Sequence, residues 1–243
     1  MDFSSETVVS TPHGDRVLVI MAKAPRPGAV KTRLLPSLPL QAVTAFYRCL
    51  LDDTLTLARS LRGIKIAIMC PDSDVDELAR LAGPGVCVVA QKGDGLASGL
   101  TSVFAHFGED HRCRTVAFNS DSPHLPRAVL EKAFEMLAAH DVVVGPTYDG
   151  GYYLVGANRS YPQLFTGTGM GTGSALERLL SQTRLLELSV DFTDPFYDVD
   201  VADDLIRLAA ELERTPAQAA RTAIWFKEWG HAVAQLQTGT GGR

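Results

Sequence analysis

From Arg16 onward, short runs of apolar, mostly β-branched residues alternate with longer stretches in which apolar residues recur at helical spacing. Strand and helix units in alternation produce that pattern, and it defines an α/β protein. Strands are predicted at Val17–Ala22, Ile64–Cys70, Val86–Ala90, Thr115–Asn119, Asp141–Thr147, Tyr152–Gly156 and Leu185–Ser189. Most of these runs do not alternate with polar residues, as expected where helices cover both faces of a sheet. The clearest helix spans Leu40–Leu61, with Val43, Phe46, Tyr47, Leu50, Leu51, Leu55, Ala58 and Leu61 on one stripe. Further helices follow Val75, Leu96, Arg127 and Ala202. Ser174 with Glu177 three residues on reads as a capping box for one more. Tyr148-Asp149-Gly150-Gly151 falls between two strand runs, and its Asp-Gly pair suits a hairpin, so the sheet is expected to be mixed and mostly parallel. After Pro216 a last helix, carrying Ile224, Trp225, Phe226 and Trp229, is expected to pack on the outside.

A chain of 243 residues with 46% hydrophobic content can bury a full core without staples. No repeat or linker divides it. Residues 1–15 read as an N-terminal extension, 16–236 as one domain, and 237–243 as a flexible tail with too little apolar surface to order itself. The net charge of −5 argues against a general nucleic-acid or membrane-surface partner, so any anion site must be local. Cys49, Cys70, Cys87 and Cys113 lie in or beside apolar runs without metal or dithiol spacing, and are expected to be buried, reduced thiols. With no hydrophobic leader near the N-terminus, a cytoplasmic protein is expected.

The first strand opens into Lys23-Ala-Pro-Arg26-Pro-Gly28-Ala-Val-Lys31-Thr32-Arg33, four cations within eleven residues of an acidic chain. Such a cluster repels itself unless an anion sits among the charges, and a strand-loop-helix junction is where α/β sheets bind phosphates. Gly28 permits a left-handed turn that would let backbone amides face the ligand. A P-loop is excluded, because Val30 stands where that motif needs glycine before the Lys-Thr pair. The fourth strand ends in Asn119-Ser120-Asp121-Ser122-Pro123, which projects Asp121 from the same sheet edge. There a carboxylate could share a Mg²⁺ with phosphate oxygens and water, or simply cap a turn. Asp198 and Asp200 alternate around Val199 and so share one side of an extended segment, with Asp200 the stronger metal-ligand candidate. Asp203 and Asp204 are explained by the positive end of the following helix. The Asp149-Gly150-Gly151-Tyr152 turn carries one glycine more than a hairpin requires, which would let backbone approach a substrate. The six histidines show no metal spacing and read as surface or supporting groups. No nucleophile elbow or Ser/His/Asp order supports a hydrolase.

Together, Met21–Leu34, Ser120–Pro126, Gly145–Gly156 and Asp198–Asp200 resemble the bacterial glycosyltransferase-A-like transferases of the radical-SAM/selenodomain-associated type. Relatives of that family are the 2-phospholactate and molybdenum-cofactor guanylyltransferases. The resemblance covers residues of about 16–210 and implies a single-domain nucleotide-diphospho-sugar transferase fold with helices on both faces of the sheet. It implies a Mg²⁺- or Mn²⁺-dependent enzyme acting on a nucleoside triphosphate, or alternatively a sugar nucleotide, and a small-molecule acceptor. It places Lys31 and Arg33 on the phosphates and Asp121 on the metal, with Asp200 and secondarily Asp198 completing that site. Lys23, Gly28, Thr32, Gly95 and Ser120 would surround the nucleotide, and Asp149, Gly150, Gly151 and Tyr152 would face the acceptor. Two departures stand out. Gln91–Leu100 lacks the family's arginine and reads closer to the phospholactate guanylyltransferase pattern, and Asn119 replaces the glycine usual before Ser-Asp. A non-catalytic nucleotide-binding protein is the remaining alternative.

Overall fold

The computed structural model describes residues 16–108, 113–166 and 174–239. The expected N-terminal extension, and residues 240–243 of the expected tail, lie outside the described residues. The strands are β1 (Arg16–Met21), β2 (Lys65–Cys70), β3 (Val86–Ala90), β4 (Arg114–Asn119), β5 (Val142–Pro146), β6 (Tyr152–Ala157) and β7 (Val190–Phe192). They form one sheet in the order β3-β2-β1-β4-β6-β5-β7. Every strand runs the same way except β6, which is antiparallel to β4 and β5. The reversal follows from the short turn between β5 and β6, which is too tight for a crossover and closes a hairpin.

The helices are α1 (Leu40–Ser60), α2 (Val75–Ala82), α3 (Gly95–Phe107), α4 (Arg127–Met136), α5 (Ala175–Leu185), α6 (Ala202–Arg214) and α7 (Ala220–Gly239). Alternation along β1 sends Leu18 and Ile20 to the face covered by α1, α2 and α4. Val17 and Val19 go to the face covered by α3 and α5. Fully apolar strands are therefore explained by a sheet sandwiched between helices. The molecule is a single α/β domain with a seven-stranded, mostly parallel mixed sheet flanked by helices.

A third layer lies outside α1. Helices α6 and α7 pack on its outer side and bury Phe46, Leu50, Leu205, Leu208 and Trp225 in a separate cluster. The Trp225 indole N–H donates to the Ala42 carbonyl at 3.0 Å, which satisfies its polar edge in an apolar setting. Asp53, buried on α1, accepts from the amides of Arg221 and Thr222 and from the Thr222 hydroxyl at 2.7 to 3.0 Å. It thus caps the start of α7 from another helix, where a carboxylate also meets the positive end of the helix dipole. Helix α7 continues to Gly239, past the start of the segment expected as a tail.

Three local expectations are corrected. The last strand is β7 at Val190–Phe192, not Leu185–Ser189. Helix α5 continues to Leu185, whose side chain is 76% exposed, and the chain then turns through Glu187 at φ 54°. Only from Val190, opposite Val142, does it enter the sheet. The capping box at Ser174 does not form: Ser174 starts α5 without a side-chain cap bond, and its hydroxyl accepts from Arg178 at 3.2 Å. Cys87 is exposed on the edge strand β3, whereas Cys70 and Cys113 are buried and Cys49 half-buried, all four as free thiols.

Replacing Asp53 by Ala removes three hydrogen bonds at once from the α1–α7 contact. Urea unfolding should show a loss of about 2–3 kcal/mol, because buried amides are left without an acceptor. An unchanged midpoint would contradict this role.

Candidate active site

Strand β1 lies between β2 and β4, so the chain crosses from one half of the sheet to the other beside it. Loops leaving neighbouring strands at such a switch point diverge and open a crevice at the carboxyl ends. Here Met21 and Asn119, the last residues of β1 and β4, are register partners. The loops that follow them bound a cleft of about 830 Å³. Its other walls are Gly95 and Leu96 at the start of α3, the β5–β6 turn, and the Asp198–Asp200 segment.

At the centre is Lys31. Its ammonium is 2.7 Å from Asp121 Oδ1 and 2.8 Å from Asp200 Oδ1, with the side chain only 4% exposed. Burial alone would lower its pKa, but the Asp121 and Asp200 charges and hydrogen bonds hold it above its ordinary value. Burial opposes ionisation of Asp200 as well, yet Lys31 and then Arg33, at 3.4 Å, keep its carboxyl below the usual range. Lys31 adopts left-handed backbone angles, φ 47° and ψ 39°, which are uncommon for a residue with a side chain. The flanking residues impose them. Val30 and Leu34 are buried with Val199 and Leu205 in the outer cluster, so the loop is anchored on both sides of Lys31.

The opposing carboxylates are held just as firmly. The Val199 amide donates to the Asp121 carbonyl at 3.1 Å, joining the two acidic segments through backbone. Val199 is fully buried, and Asp198 and Asp200 flank it with different partners. Asp198 Oδ1 accepts from Asn119 Nδ2 at 2.6 Å and from the Ser122 hydroxyl at 3.0 Å. Burial and the nearby Asp121 charge raise its pKa to about 6, with those two hydrogen bonds opposing the rise. Asp200 faces Lys31. The backbone amides of Asp200 and Val201 both donate to Asp204 Oδ2 at 3.0 Å, which fixes the start of α6.

The anions among the charges of the basic loop are carboxylates of this chain. Arg26 turns away to Asp74 at 2.7 Å and Glu77 at 2.9 Å, while the Ala24 amide donates to Asp74 at 2.8 Å. Lys31 and Arg33 are already paired with carboxylates. The acids that relieve the repulsion come from other parts of this chain. Lys23, Lys31, Thr32 and Arg33 nevertheless line one wall of the cleft, together with Ser120 and Asp121. Gly28, at φ 74°, shapes the loop but does not line the cleft.

Across the cleft stand Asp149, Gly151 and Tyr152, while Gly150 is not among the lining residues. Asp149 Oδ1 accepts from the Thr147 hydroxyl at 2.5 Å and from the Gly151 amide at 3.2 Å. Both glycines serve the turn itself. Gly150 sits at φ 87°, and a Cβ on Gly151 would come within 2.9 Å of Thr147 Oγ1. Tyr47 was legible only as part of the α1 stripe, yet it reaches the site: its hydroxyl accepts from the Lys23 amide at 3.0 Å and lies 3.1 Å from Ser120 Oγ. The signal available was a phenol on an otherwise apolar face, which needs a polar partner when buried. Asn119 also belongs to the site, as the partner of Asp198.

Among the described residues, no group of three or more His, Cys, Asp or Glu side chains converges on a metal position. Two carboxylates do converge, however, on the single point now held by the Lys31 ammonium. A Mg²⁺ ion takes one or two protein carboxylates and completes its shell with phosphate oxygens and water, so Asp121 and Asp200 suit it chemically. No helix among the described residues is long and apolar enough to cross a membrane.

The chain shares this architecture with known proteins. A bacterial family described as "Uncharacterized protein conserved in bacteria (DUF2064)" matches residues 54–172. A protein of Desulfovibrio desulfuricans G20, provisionally named a nucleotide-diphospho-sugar transferase, superimposes with a TM-score of 0.83 at 26% identity, over 91% of this chain and 98% of its own. The 4-diphosphocytidyl-2C-methyl-D-erythritol synthase of Anaerococcus prevotii DSM 20548 gives 0.58 at 11% identity, over 83% and 97%. A CMP:2-keto-3-deoxy-manno-octonic acid synthetase complexed with CTP gives 0.55 at 13% identity, over 83% and 99%. No curated protein matches the sequence. The fold is thus that of the nucleotide-diphospho-sugar transferases.

Behind Asp121, His124 is 2% exposed and packs against the rings of Phe196 and Tyr197, each at a centroid distance of 4.7 Å. Neither ring nitrogen has a hydrogen-bond partner among the described residues, and Glu211 Oε2 lies 3.5 Å from Nε2. Burial, with a further push from Arg207 and against the pull of Glu211, lowers its pKa from 6.5 to about 4. Between those values the unfolded chain binds a proton that the native protein does not, so stability falls as pH falls through this window. The contribution is on the order of 3 kcal/mol. Urea midpoints at pH 7 and pH 4 should therefore converge more for His124→Phe than for wild type; equal acid losses in both would refute a buried neutral imidazole.

Proposed function

We propose that this protein is a nucleotidyltransferase that moves a nucleoside monophosphate from a triphosphate to a small, phosphorylated acceptor. An acceptor oxygen forms a bond to the α-phosphorus, the bond from that phosphorus to the β-bridging oxygen breaks, and pyrophosphate leaves. The observation that carries this reading is the buried Lys31–Asp121–Asp200 centre at the sheet's switch point, in a cleft with Lys23 and Arg33 on the same wall. The Anaerococcus synthase and the CTP-bound synthetase support a transferase on this fold.

In this reading Lys31 and Arg33 bind the phosphates and stabilise charge that grows on the departing pyrophosphate. Preorganised charges of this kind cost no reorganisation as the reaction proceeds. A divalent cation on Asp121 and Asp200 would neutralise phosphate charge and polarise the phosphorus centre. Asp198, held by Asn119 and Ser122, keeps the acidic segment in place beside Asp121. An anionic acceptor oxygen needs no general base, consistent with a centre built from one cation and carboxylates. The β5–β6 turn, with Asp149 and Tyr152, is where the acceptor would enter. A second reading, glycosyl transfer from a sugar nucleotide, is favoured by the name given to the Desulfovibrio protein. Lys31 and Arg33, freed from Asp121 and Asp200 once a divalent ion takes those carboxylates, would join Lys23 in facing a polyphosphate, which suits a triphosphate better than a diphosphate.

A parallel assay decides between them: pyrophosphate release from the four common nucleoside triphosphates, and nucleoside diphosphate release from sugar nucleotides, each with Mg²⁺ and a panel of small-molecule acceptors that includes phosphorylated ones. Under the first reading only the triphosphate arm turns over, and Lys31→Ala lowers kcat/KM by about 10² to 10³, with KM changing less than kcat. Release of nucleoside diphosphate alone, insensitive to Lys31→Ala, would overturn both the reaction and the role of the loop. Asp121→Asn keeps the side chain's shape but removes its charge, so it should abolish the Mg²⁺ dependence of nucleotide binding measured by calorimetry. Unaltered dependence would remove Asp121 from the site.

A further inference from the structure

We infer that Lys31 is a stand-in cation at the metal position, so that a divalent ion and a polyphosphate bind as a coupled pair rather than independently. The inference rests on the reading of Asp121 and Asp200 as metal ligands, and concerns what this chain does before either ligand arrives. Asp121 Oδ1 and Asp200 Oδ1 are both within 2.8 Å of one buried nitrogen. A divalent ion drawing on the same two oxygens would compete with that ammonium for them and be repelled by its charge. Metal would therefore enter as Lys31 withdraws.

Three features make withdrawal costly without a new partner. The Lys31 side chain is 4% exposed, so its charge has little water to turn to. Removing a buried ammonium from its carboxylates leaves uncompensated charge on both sides. The loop is also pinned at Val30 and Leu34 on one side and through the Arg26–Asp74 and Ala24–Asp74 contacts on the other, so the backbone does not simply peel away. What remains free to move is the lysine side chain. A polyphosphate in the cleft supplies the missing partner, because its oxygens can take the ammonium while their negative charge also draws the metal. Lys31 then exchanges one anion for another, and Asp121 and Asp200 exchange one cation for another.

Coupling of this kind is reciprocal: whatever factor phosphate adds to metal affinity, metal adds to phosphate affinity. In the absence of ligands, the arrangement also keeps two close carboxylates from repelling each other. A protein whose carboxylates waited open would instead bind divalent ions in the absence of nucleotide.

The test is Mn²⁺ binding followed by electron paramagnetic resonance, with no nucleotide present, on wild type, Lys31→Met and Lys31→Met/Asp121→Asn. Methionine keeps the unbranched shape and most of the length of the side chain and removes the charge. The wild type should bind Mn²⁺ weakly, and Lys31→Met more tightly by roughly 5- to 150-fold, the usual span of coupling between two sites. The double variant should lose that gain. Thermal melts of the same samples provide a second readout that tolerates a weakened fold. Mn²⁺ should raise the Tm of Lys31→Met more than that of wild type, since binding to the native state alone stabilises it. Equal Mn²⁺ affinity in wild type and Lys31→Met, or a gain that survives in the double variant, would overturn the inference. Because no nucleotide enters these measurements, failure of nucleotidyl transfer in the assay above is a separate outcome.

Discussion

A single ammonium group, the buried Nζ of Lys31, ties together three of the segments that line the cleft. It joins the loop after β1 to the turn after β4 and to the segment before α6, three stretches that are remote in sequence. A charge with so little water around it is tolerated only because two carboxylates meet it at hydrogen-bonding distance. Much of the surrounding structure supports that meeting. Val199 seats the acidic segment in apolar surroundings, its amide bonds to the Asp121 carbonyl, and Val30 and Leu34 anchor the loop from below.

The same constraint explains how an acidic chain accommodates a dense basic loop. Two devices divide the charge. Arg26 is drawn outward to Asp74 and Glu77 and serves as a fastening, while Lys31 is drawn inward to Asp121 and Asp200 in the cleft. Arg33, 73% exposed at the mouth, remains accessible to a ligand as it touches Asp200. Position relative to the sheet edge, rather than residue type, separates the cation fastened outside the cleft from those that line it.

The sheet was legible because local pattern determines it. Six of the seven strand runs lie within a residue or so of their predicted positions, and the Asp-Gly turn announced the reversed β6. Leu185–Ser189 misled because its leucines continue the helical spacing of α5 as readily as they begin a strand. Much of the centre could be read too, since Lys31, Asp121 and Asp200 each stand at the end of a strand or just before a helix. Pairings across long stretches of chain could not. Nothing local to Asn119 indicates that its amide meets Asp198, 79 residues away, or that Asp53 caps a helix 168 residues on. Tyr47 was absorbed into its helix stripe because periodicity reports which face is buried, not what a hydroxyl finds there.

The outer layer of α6 and α7 has a further consequence. Lys31's anchors, Val30 and Leu34, belong to the same cluster as Trp225, Leu205 and Leu208, not to the clusters directly on the sheet. Proteins open in cooperative pieces, and a peripheral helical layer is a natural piece to open before a central parallel sheet. Loosening of that layer would release the Lys31 loop while the strands remained paired. Heat or denaturant would then dismantle the cleft before it unfolded the domain, so that loss of the Lys31 centre, rather than loss of secondary structure, marks the limit of its working range.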